Sequence, residues 1–271
     1  MIKLILSDID GTILPYGQKH VSANMLDAIH TALDAGIRFG PCTGRGVEWL
    51  APLFCDDATA YATAIGTNGQ SVYLDGQALV ETRFTRQLLQ PLVDELSDVC
   101  GAGVLVFMDG VPHVLCGDTA DLMVSFPEYA KTAIIEKTIP STDAMTKCNV
   151  FLNGDMDATV TLCQRLNERV SGLDFDVPNP AFLNVMVEGR NKASGIDALA
   201  HHLGITLDDV VVFGDGGNDV PMLAHVPNSV AVAGAMEQAA AAARWHTGSV
   251  DDDAVADDIR AIACGEWPFT R

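Results

Sequence analysis

Positive charge is scarce in this chain: 16 Lys and Arg stand against 36 Asp and Glu, a formal charge of -20. Such a molecule repels nucleic-acid backbones and anionic membrane surfaces at long range, so neither is an expected partner. It also repels phosphorylated metabolites, and any phosphate site must therefore bring local cations of its own, as a metal, a lysine or backbone N–H groups. Long apolar runs are lacking too; the longest fall well short of the roughly 18 residues a membrane span needs. Met1 leads directly into an apolar stretch ending in aspartates, without the basic region, long apolar segment and small-residue cleavage site of an export signal. No CxxC pair occurs among the seven cysteines, whose odd number and wide spacing speak for reduced thiols, mainly small core residues, over a disulfide framework or zinc knuckle. These absences together predict a cytoplasmic protein. There is no GxGxxG or GxxxxGK[ST] signature, so neither a nicotinamide cofactor nor a nucleoside triphosphatase is indicated.

What is present is a strand–helix rhythm. Ile2 to Leu6 is a nearly continuous Ile/Leu run ending at Ser7-Asp8, as expected of a central parallel strand covered on both faces. Val21, Met25, Ile29, Ala32 and Leu33 recur at helical spacing, with Ser22 placed to cap the start and Gly36 to end it. The pattern predicts a second strand over Ile37–Pro41, a helix over Gly44–Leu53, and a third strand over Tyr61–Ile65 running into Gly66-Thr67-Asn68-Gly69. A hairpin follows at Asp75-Gly76. The rhythm then changes, and returns with a helix over Asn191–Leu203, a buried strand Val210–Phe213, a short strand Ser229–Val232 and a helix Ala235–Ala243. Alternating strands and helices predict an α/β fold, a Rossmann-like, doubly wound parallel sheet. The interrupting stretch, with strands at Val104–Met108, Asn149–Leu152 and Phe182–Val187 and a helix at Ala158–Val170, predicts an inserted α+β domain. Asp251-Asp252-Asp253 is expected to cap the last helix, with Asp257 and Asp258 on its solvated face, while Trp245 and Trp267 read as packing residues and His201-His202 as a helix end.

Ligands in open parallel sheets bind beyond the carboxyl ends of the strands. Four polar clusters fall there: Asp8-Ile9-Asp10-Gly11-Thr12, Thr43-Gly44-Arg45, the turn at Asn68, and Gly214-Asp215-Gly216-Gly217-Asn218-Asp219; Lys192 begins a helix beside them. Each has a bland reading by itself. Asp and Gly are common in turns after strands, Thr43 can cap a helix beside a surface Arg45, Lys192 can be a solvated helix residue, and GDGGND can be a calcium loop, although it lacks the spacing and terminal Glu of an EF-hand. Together they meet one need. Clustered carboxylates repel unless neutralised, and magnesium, which prefers oxygen ligands and is commonly held by one or two carboxylates plus a substrate phosphate, removes that repulsion. Thr12, Thr43 and nearby N–H groups can hold phosphate oxygens.

These residues resemble the haloacid dehalogenase-like hydrolases, and within them the Cof-type phosphatases with a large inserted cap: DIDGT at 8–12, TGR at 43–45, Lys192 and GDGGND at 214–219 look like the family's four motifs. The resemblance implies a hydrolase core over 1–82 and 188–271 and a substrate-specificity cap over 83–187. It implies Mg2+ as cofactor and a small phosphorylated metabolite as substrate, with sugar phosphates, pyridoxal phosphate and flavin mononucleotide all open. By the same resemblance Asp8 is the nucleophile and a metal ligand, Asp10 the general acid and base and a ligand through its backbone carbonyl, and Asp215 the second metal carboxylate. Thr43 holds the transferring phosphoryl group, Lys192 neutralises it and orients Asp8, and Asn218 and Asp219 fix metal waters or Lys192. Gly11, Thr12, Gly44, Arg45 and Asn68 are candidate phosphate or substrate contacts. Three places depart from the pattern: Ala193 follows Lys192 where glycine is usual, VAVAGA at 230–235 puts Gly234 and Ala235 into a segment usually reading VAMGNA, and Val250 and Ala254 replace Asn and Gly near the end. Two alternatives remain at this stage, a phosphomutase with the same core chemistry and, in another class, a phosphorylation-controlled signalling module.

Overall fold

The computed structural model describes residues 1–269. They divide into two compact units, one of residues 1–80 with 191–269 and the other of residues 81–190. Strand β1 (Leu4–Ser7) is followed by helix α1 (Ala23–Asp34) and β2 (Arg38–Pro41). Ser22 caps α1 by accepting from Met25 N–H, and Gly36 beyond its end takes φ +79°, the left-handed stop expected of glycine. A small antiparallel sheet comes next, of β3 (Ala64–Gly66), β4 (Ser71–Leu74) and β5 (Gln77–Glu81). Asp75 and Gly76, at φ 50° and 76°, join β4 to β5 in the twist that suits a two-residue hairpin.

The second unit comprises α2 (Arg86–Leu96), β6 (Ala102–Met108), β7 (Val111–Cys116), α3 (Thr119–Ser125), α4 (Pro127–Thr132), β8 (Ile134–Ile135), β9 (Met145–Leu152), α5 (Met156–Arg169), β10 (Leu173–Asn179) and β11 (Phe182–Val187). Its six strands run in the order β10-β11-β9-β6-β7-β8, antiparallel except for β7 with β8. Leu89, Leu92 and Leu96 of α2 and Leu162 and Leu166 of α5 close over Val104, Val106, Cys148, Val150 and Val185, so this unit has a core of its own.

The first unit resumes with α6 (Lys192–Leu203), β12 (Val210–Gly214), α7 (Val220–His225), β13 (Asn228–Ala233), α8 (Glu237–Ala242), β14 (Trp245–Ser249) and α9 (Ala254–Ala263). Its main sheet is wholly parallel, in the order β14-β13-β12-β1-β2. Alternation along β1 explains why that strand has no polar face: Ile5 joins Phe39, Val211, Phe213, Ile29 and Ile259 on the side of α1 and α9, while Leu4 and Leu6 join Val210, Val212, Leu199 and Leu223 on the side of α6 and α7. Each such aliphatic side chain contributes about 1.5–3 kcal/mol on burial. The chain leaves β1 toward β2 and β12 toward β13, in opposite directions. The reversal between β1 and β12 opens a crevice at their carboxyl ends, where Asp8 and Asp215 follow.

Several expectations need correction. The helix over Gly44–Leu53 is two separate single turns, Val47–Trp49 and Ala51–Phe54, because Gly46 is extended and Pro52 can only begin a turn. The third strand is shorter than expected and pairs antiparallel with β4, touching the parallel layer through a single Cys42–Ile65 bridge. β14 was not expected at all; its alternating exposed residues give it no apolar run. Three of the seven cysteines, Cys55, Cys100 and Cys264, are exposed, so their reading as mainly core residues holds for the others only; all seven are free. Asp253 stands at the start of α9 without capping it, its carboxylate accepting instead from Ser22 and Asn24.

Asp258 is buried, not solvated. It lies three positions after Val255 and four before Ile262, both in the core, so helical spacing turns it inward. Burial pushes its carboxyl up to about 6 although the nearby Thr247 hydroxyl draws it down, and one oxygen has no partner. Its folded value exceeds that of an unfolded chain, so the ionised group costs stability above about pH 6, and the cost fades toward pH 4, where both states are protonated. Asp258→Asn is expected to gain about 2 kcal/mol relative to the parent between pH 4 and pH 8. Urea unfolding at the two pH values checks this; a pH-independent difference would mean that the buried charge is not what the substitution removes.

Candidate active site

β1 delivers Asp8 because its backbone stays in the sheet to the last residue: Asp8 N–H still donates to Phe213 O at 2.9 Å. The chain then turns sharply, with Gly11 at φ +84°. A Cβ at Gly11 would lie 2.5 Å from an Asp215 oxygen and 2.8 Å from the Tyr16 hydroxyl, so only glycine permits that approach. Asp215 follows β12, and Met236 N–H holds its carbonyl at 2.8 Å. Lys192 opens α6, whose start is fixed by Asn191 and Ser194 bonding reciprocally in a capping box; Ala193 in place of glycine is accommodated in that first turn.

The Lys192 ammonium is completely buried and lies 2.6 Å from Asp8 Oδ1 and 2.5 Å from Asp219 Oδ1. Burial alone would pull it down, but Asp219 and Asp8 outweigh that and hold it above the ordinary lysine value. Asp219 is saturated, since its Oδ2 accepts the N–H groups of Asp215 and Gly216 at 2.9 and 2.8 Å. Asp8 is pushed well above the usual carboxylate range by burial, against the pull of Lys192 and with Asp219 and Asp215 adding to the rise. Asp215 is raised to about 6, by burial first, then by Asp219 and Asp10, while the Thr12 hydroxyl, donating to Oδ1 at 2.7 Å, draws it down.

Asp8, Asp215 and Asp219 bring carboxylate oxygens within 4.8 Å of one another, three acids facing one ammonium. With Asp219 engaged at both oxygens, the uncompensated charge sits on Asp8 and Asp215. Two oxygen donors with excess negative charge, in a pocket too dry to screen it, suit a small divalent cation such as Mg2+.

The other predicted residues divide. Arg45 is spent on Asp10, its Nε and one terminal nitrogen each donating at 2.7 Å to a different carboxylate oxygen. Thr12 has its hydroxyl on Asp215 and its N–H on Ile9 O, and Gly11 N–H goes to Leu14 O, so these donors are engaged within the protein. Thr43 is buried and accepts from Arg45 N–H at 3.2 Å, which leaves its hydroxyl hydrogen to be donated. Asn68, in the left-handed region at φ 53°, accepts from Asn218 Nδ2 at 3.2 Å, and a side chain on Gly44 would press against Asn68. Sequence reasoning missed Tyr16, whose hydroxyl lies over Gly11 on the same side as an Asp215 oxygen and is pushed up to about 12 by loss of solvent and by the surrounding aspartates. Nothing in its spacing from the DIDGT segment marks it; only the fold of the following turn brings it back.

A model of the haloacid dehalogenase-like hydrolases matches residues 5–259. The chain belongs to that family. Within it, the chain is 27% identical over 273 residues to a 5-amino-6-(5-phospho-D-ribitylamino)uracil phosphatase of Escherichia coli, a match spanning 100% of this chain and 99% of the relative. It is 26% identical to an HMP-PP phosphatase of Yersinia pseudotuberculosis over 88% of this chain and 86% of that one. Among solved structures, BT1666 from Bacteroides thetaiotaomicron, of the same superfamily, superposes with a TM-score of 0.81 at 24% identity, covering 96% of this chain and 94% of that one. This haloacid dehalogenase-like hydrolase is thus an enzyme whose fold, a parallel α/β core with a separate antiparallel sheet, is that of its family.

Proposed function

We propose that this enzyme is a magnesium-dependent phosphatase of small phosphomonoesters, working through phosphoryl transfer to Asp8. The observation that carries the reading is the buried ammonium of Lys192 on Asp8 Oδ1 beside Asp215, an arrangement that orients one carboxylate and gathers positive charge next to it. The names of the full-length relatives support the reaction class. A carboxylate is a weak nucleophile toward a phosphate dianion because both are negative. Mg2+ held by Asp8, Asp215 and, as the family resemblance implies, the Asp10 carbonyl would supply the charge that offsets this repulsion. Lys192 holds one Asp8 oxygen and so aims the carboxylate, and the Thr43 hydroxyl is available to a phosphoryl oxygen. Asp10 gives a proton to the departing alcohol and takes one from the water that later frees phosphate from Asp8. Because Arg45 occupies both Asp10 oxygens, each proton transfer requires one of those bonds to open. The unit of residues 81–190 takes the part of substrate-specificity cap, and it has the independent core such a part needs.

Metal removal tests the reading. EDTA is expected to abolish turnover of phosphomonoesters, and Mg2+ to restore it, with Ca2+ a poor substitute because its longer, looser coordination misplaces the phosphate. The metal-free protein should also gain thermal stability on adding Mg2+. Full turnover after verified metal removal, with no stability response to Mg2+, rules out the metal-dependent mechanism.

A further inference from the structure

Three consecutive residues of the turn after β3 sit in the left-handed region: Thr67 at φ 47°, Asn68 at 53° and Gly69 at 88°. Glycine and asparagine tolerate that conformation, whereas a β-branched threonine is strained by it and stays there only where its surroundings fix it. Here they do. Thr67 N–H donates to Arg45 O at 2.8 Å, Asn68 N–H to Thr43 O at 3.0 Å, and the Thr67 hydroxyl meets Ser71 Oγ at 3.0 Å. On the other side Gly69 leaves no room for a Cβ against the carbonyl of Asn191, the residue before Lys192. The turn is thus wedged between the Thr43 segment and the start of α6. From it Asn68 Oδ1 accepts from Asn218 Nδ2 at 3.2 Å, and an amide held at one end is oriented at the other. Asn218 Oδ1 is accordingly turned back over Gly216, 2.8 Å from where a Cβ on that residue would stand. Gly216 follows Asp215, and the N–H groups of both anchor Asp219.

We propose that Asn68 is a positioning residue for the metal loop: fixed in a strained turn, it orients Asn218 and so keeps residues 214–219 shaped for a divalent cation. A direct contact to phosphate or leaving group is disfavoured, because Asn68 is 3% exposed and its Oδ1 is already committed to Asn218. The turn's bonds to Thr43 and Arg45 also tie the metal loop to the segment whose threonine serves the phosphoryl group, so the two are set relative to each other through Asn68. This deepens the magnesium-dependent reading and rests on it.

Calorimetric titration of the substrate-free protein with Mg2+ tests this, in the full-length parent, Asn68→Gly, Asn218→Ala and the double variant. Glycine permits the left-handed turn and keeps the N–H on Thr43 O, so only the amide is removed. Asn68→Gly is expected to bind Mg2+ about tenfold more weakly, the scale of losing a partner that orients a metal site from outside it. Asn218→Ala should lose at least as much, and the double variant no more than Asn218→Ala alone, because Asn68 acts through Asn218. A loss that persists undiminished in the Asn218→Ala background would trace to a loosened turn and overturn the proposal. Equal affinities of the parent and Asn68→Gly would overturn it too, while leaving the magnesium reading standing. In turnover, the deficit of Asn68→Gly should shrink as Mg2+ is raised; a KM that stays raised at saturating Mg2+, with metal affinity intact, would make Asn68 a substrate contact instead. If the parent itself bound no Mg2+, the magnesium reading would fall and the proposal with it.

Discussion

Asp8→Asn is expected to lose roughly 10⁴-fold or more in turnover, the scale on which removal of an attacking group acts. The amide keeps the shape of the carboxylate and can still accept from Lys192, so the fold should survive. What it lacks is the anion that attacks phosphorus and a charge that helps hold the metal. Asp10→Asn is expected to differ in kind, because its backbone carbonyl is intact and only proton exchange is lost, a contribution of about 10²–10⁴-fold. With an activated aryl phosphate the leaving group needs little protonation, so formation of the phosphoenzyme should suffer less than its hydrolysis. Asp10→Asn should therefore accumulate an acid-stable, hydroxylamine-sensitive phosphate on the peptide containing Asp8, recoverable by rapid quench and mass spectrometry. Competent turnover with no trappable species in either the parent or Asp10→Asn, or undiminished activity in Asp8→Asn, would sink the assignment of Asp8.

The places of Asp8 and Asp215 in the fold were legible from the sequence, and the reason is local. Asp8 and Asp215 directly end apolar strands whose buried periodicity names them as strands, and the side chain after such a strand has one place to go. Lys192 was harder, since a lone lysine at a helix start is usually solvated; it was the resemblance to a known motif set that marked it, and its full burial became visible only in the fold. The donors of Gly11, Thr12 and Arg45 were assigned to phosphate for their chemistry, whereas hydrogen bonds to Leu14, Ile9, Asp215 and Asp10 engage them, and such pairings depend on turn geometry that residue type does not encode. Tyr16 was invisible for the same reason. Asp258 is the opposite case, for the spacing Val255, Asp258, Ile262 placed it on the core face, and its charge argued against a pattern that was there to be read.

Lys192→Met is expected to destabilise the metal-free protein by about 3–5 kcal/mol at pH 8, since removing one partner of a buried ion pair leaves the other charges uncompensated. Methionine fills similar volume, so packing loss is small, and the cost falls on Asp8 and Asp219, which the ammonium contacts at 2.6 and 2.5 Å. The pH dependence identifies the cause. The lysine's own folded value is raised, so its stabilising contribution is fully present throughout the range below pH 10 and adds no slope there. Asp8 behaves otherwise. Its folded value is already raised by burial and Lys192 pulls it down, so without the lysine it rises further. An acid with a raised folded value penalises the native state above that value, and the penalty vanishes once the unfolded chain is protonated too, near pH 4. The deficit of Lys192→Met should accordingly be largest at pH 8 and shrink as pH falls toward 4. Mg2+ at neutral pH should restore more stability to the variant than to the parent, since a cation beside Asp8 relieves repulsion that the parent's lysine already relieves in part. Turnover should remain depressed even at saturating Mg2+, because a divalent ion neutralises charge without holding Asp8 Oδ1 in place. Arginine should not rescue it: the site has no exposed surface to admit a guanidinium. Denaturant unfolding of parent and variant at pH 4.5 and pH 8, with and without Mg2+, decides the matter, and an equal deficit at both pH values would trace the loss to packing and not to the charge that Lys192 places beside the nucleophile.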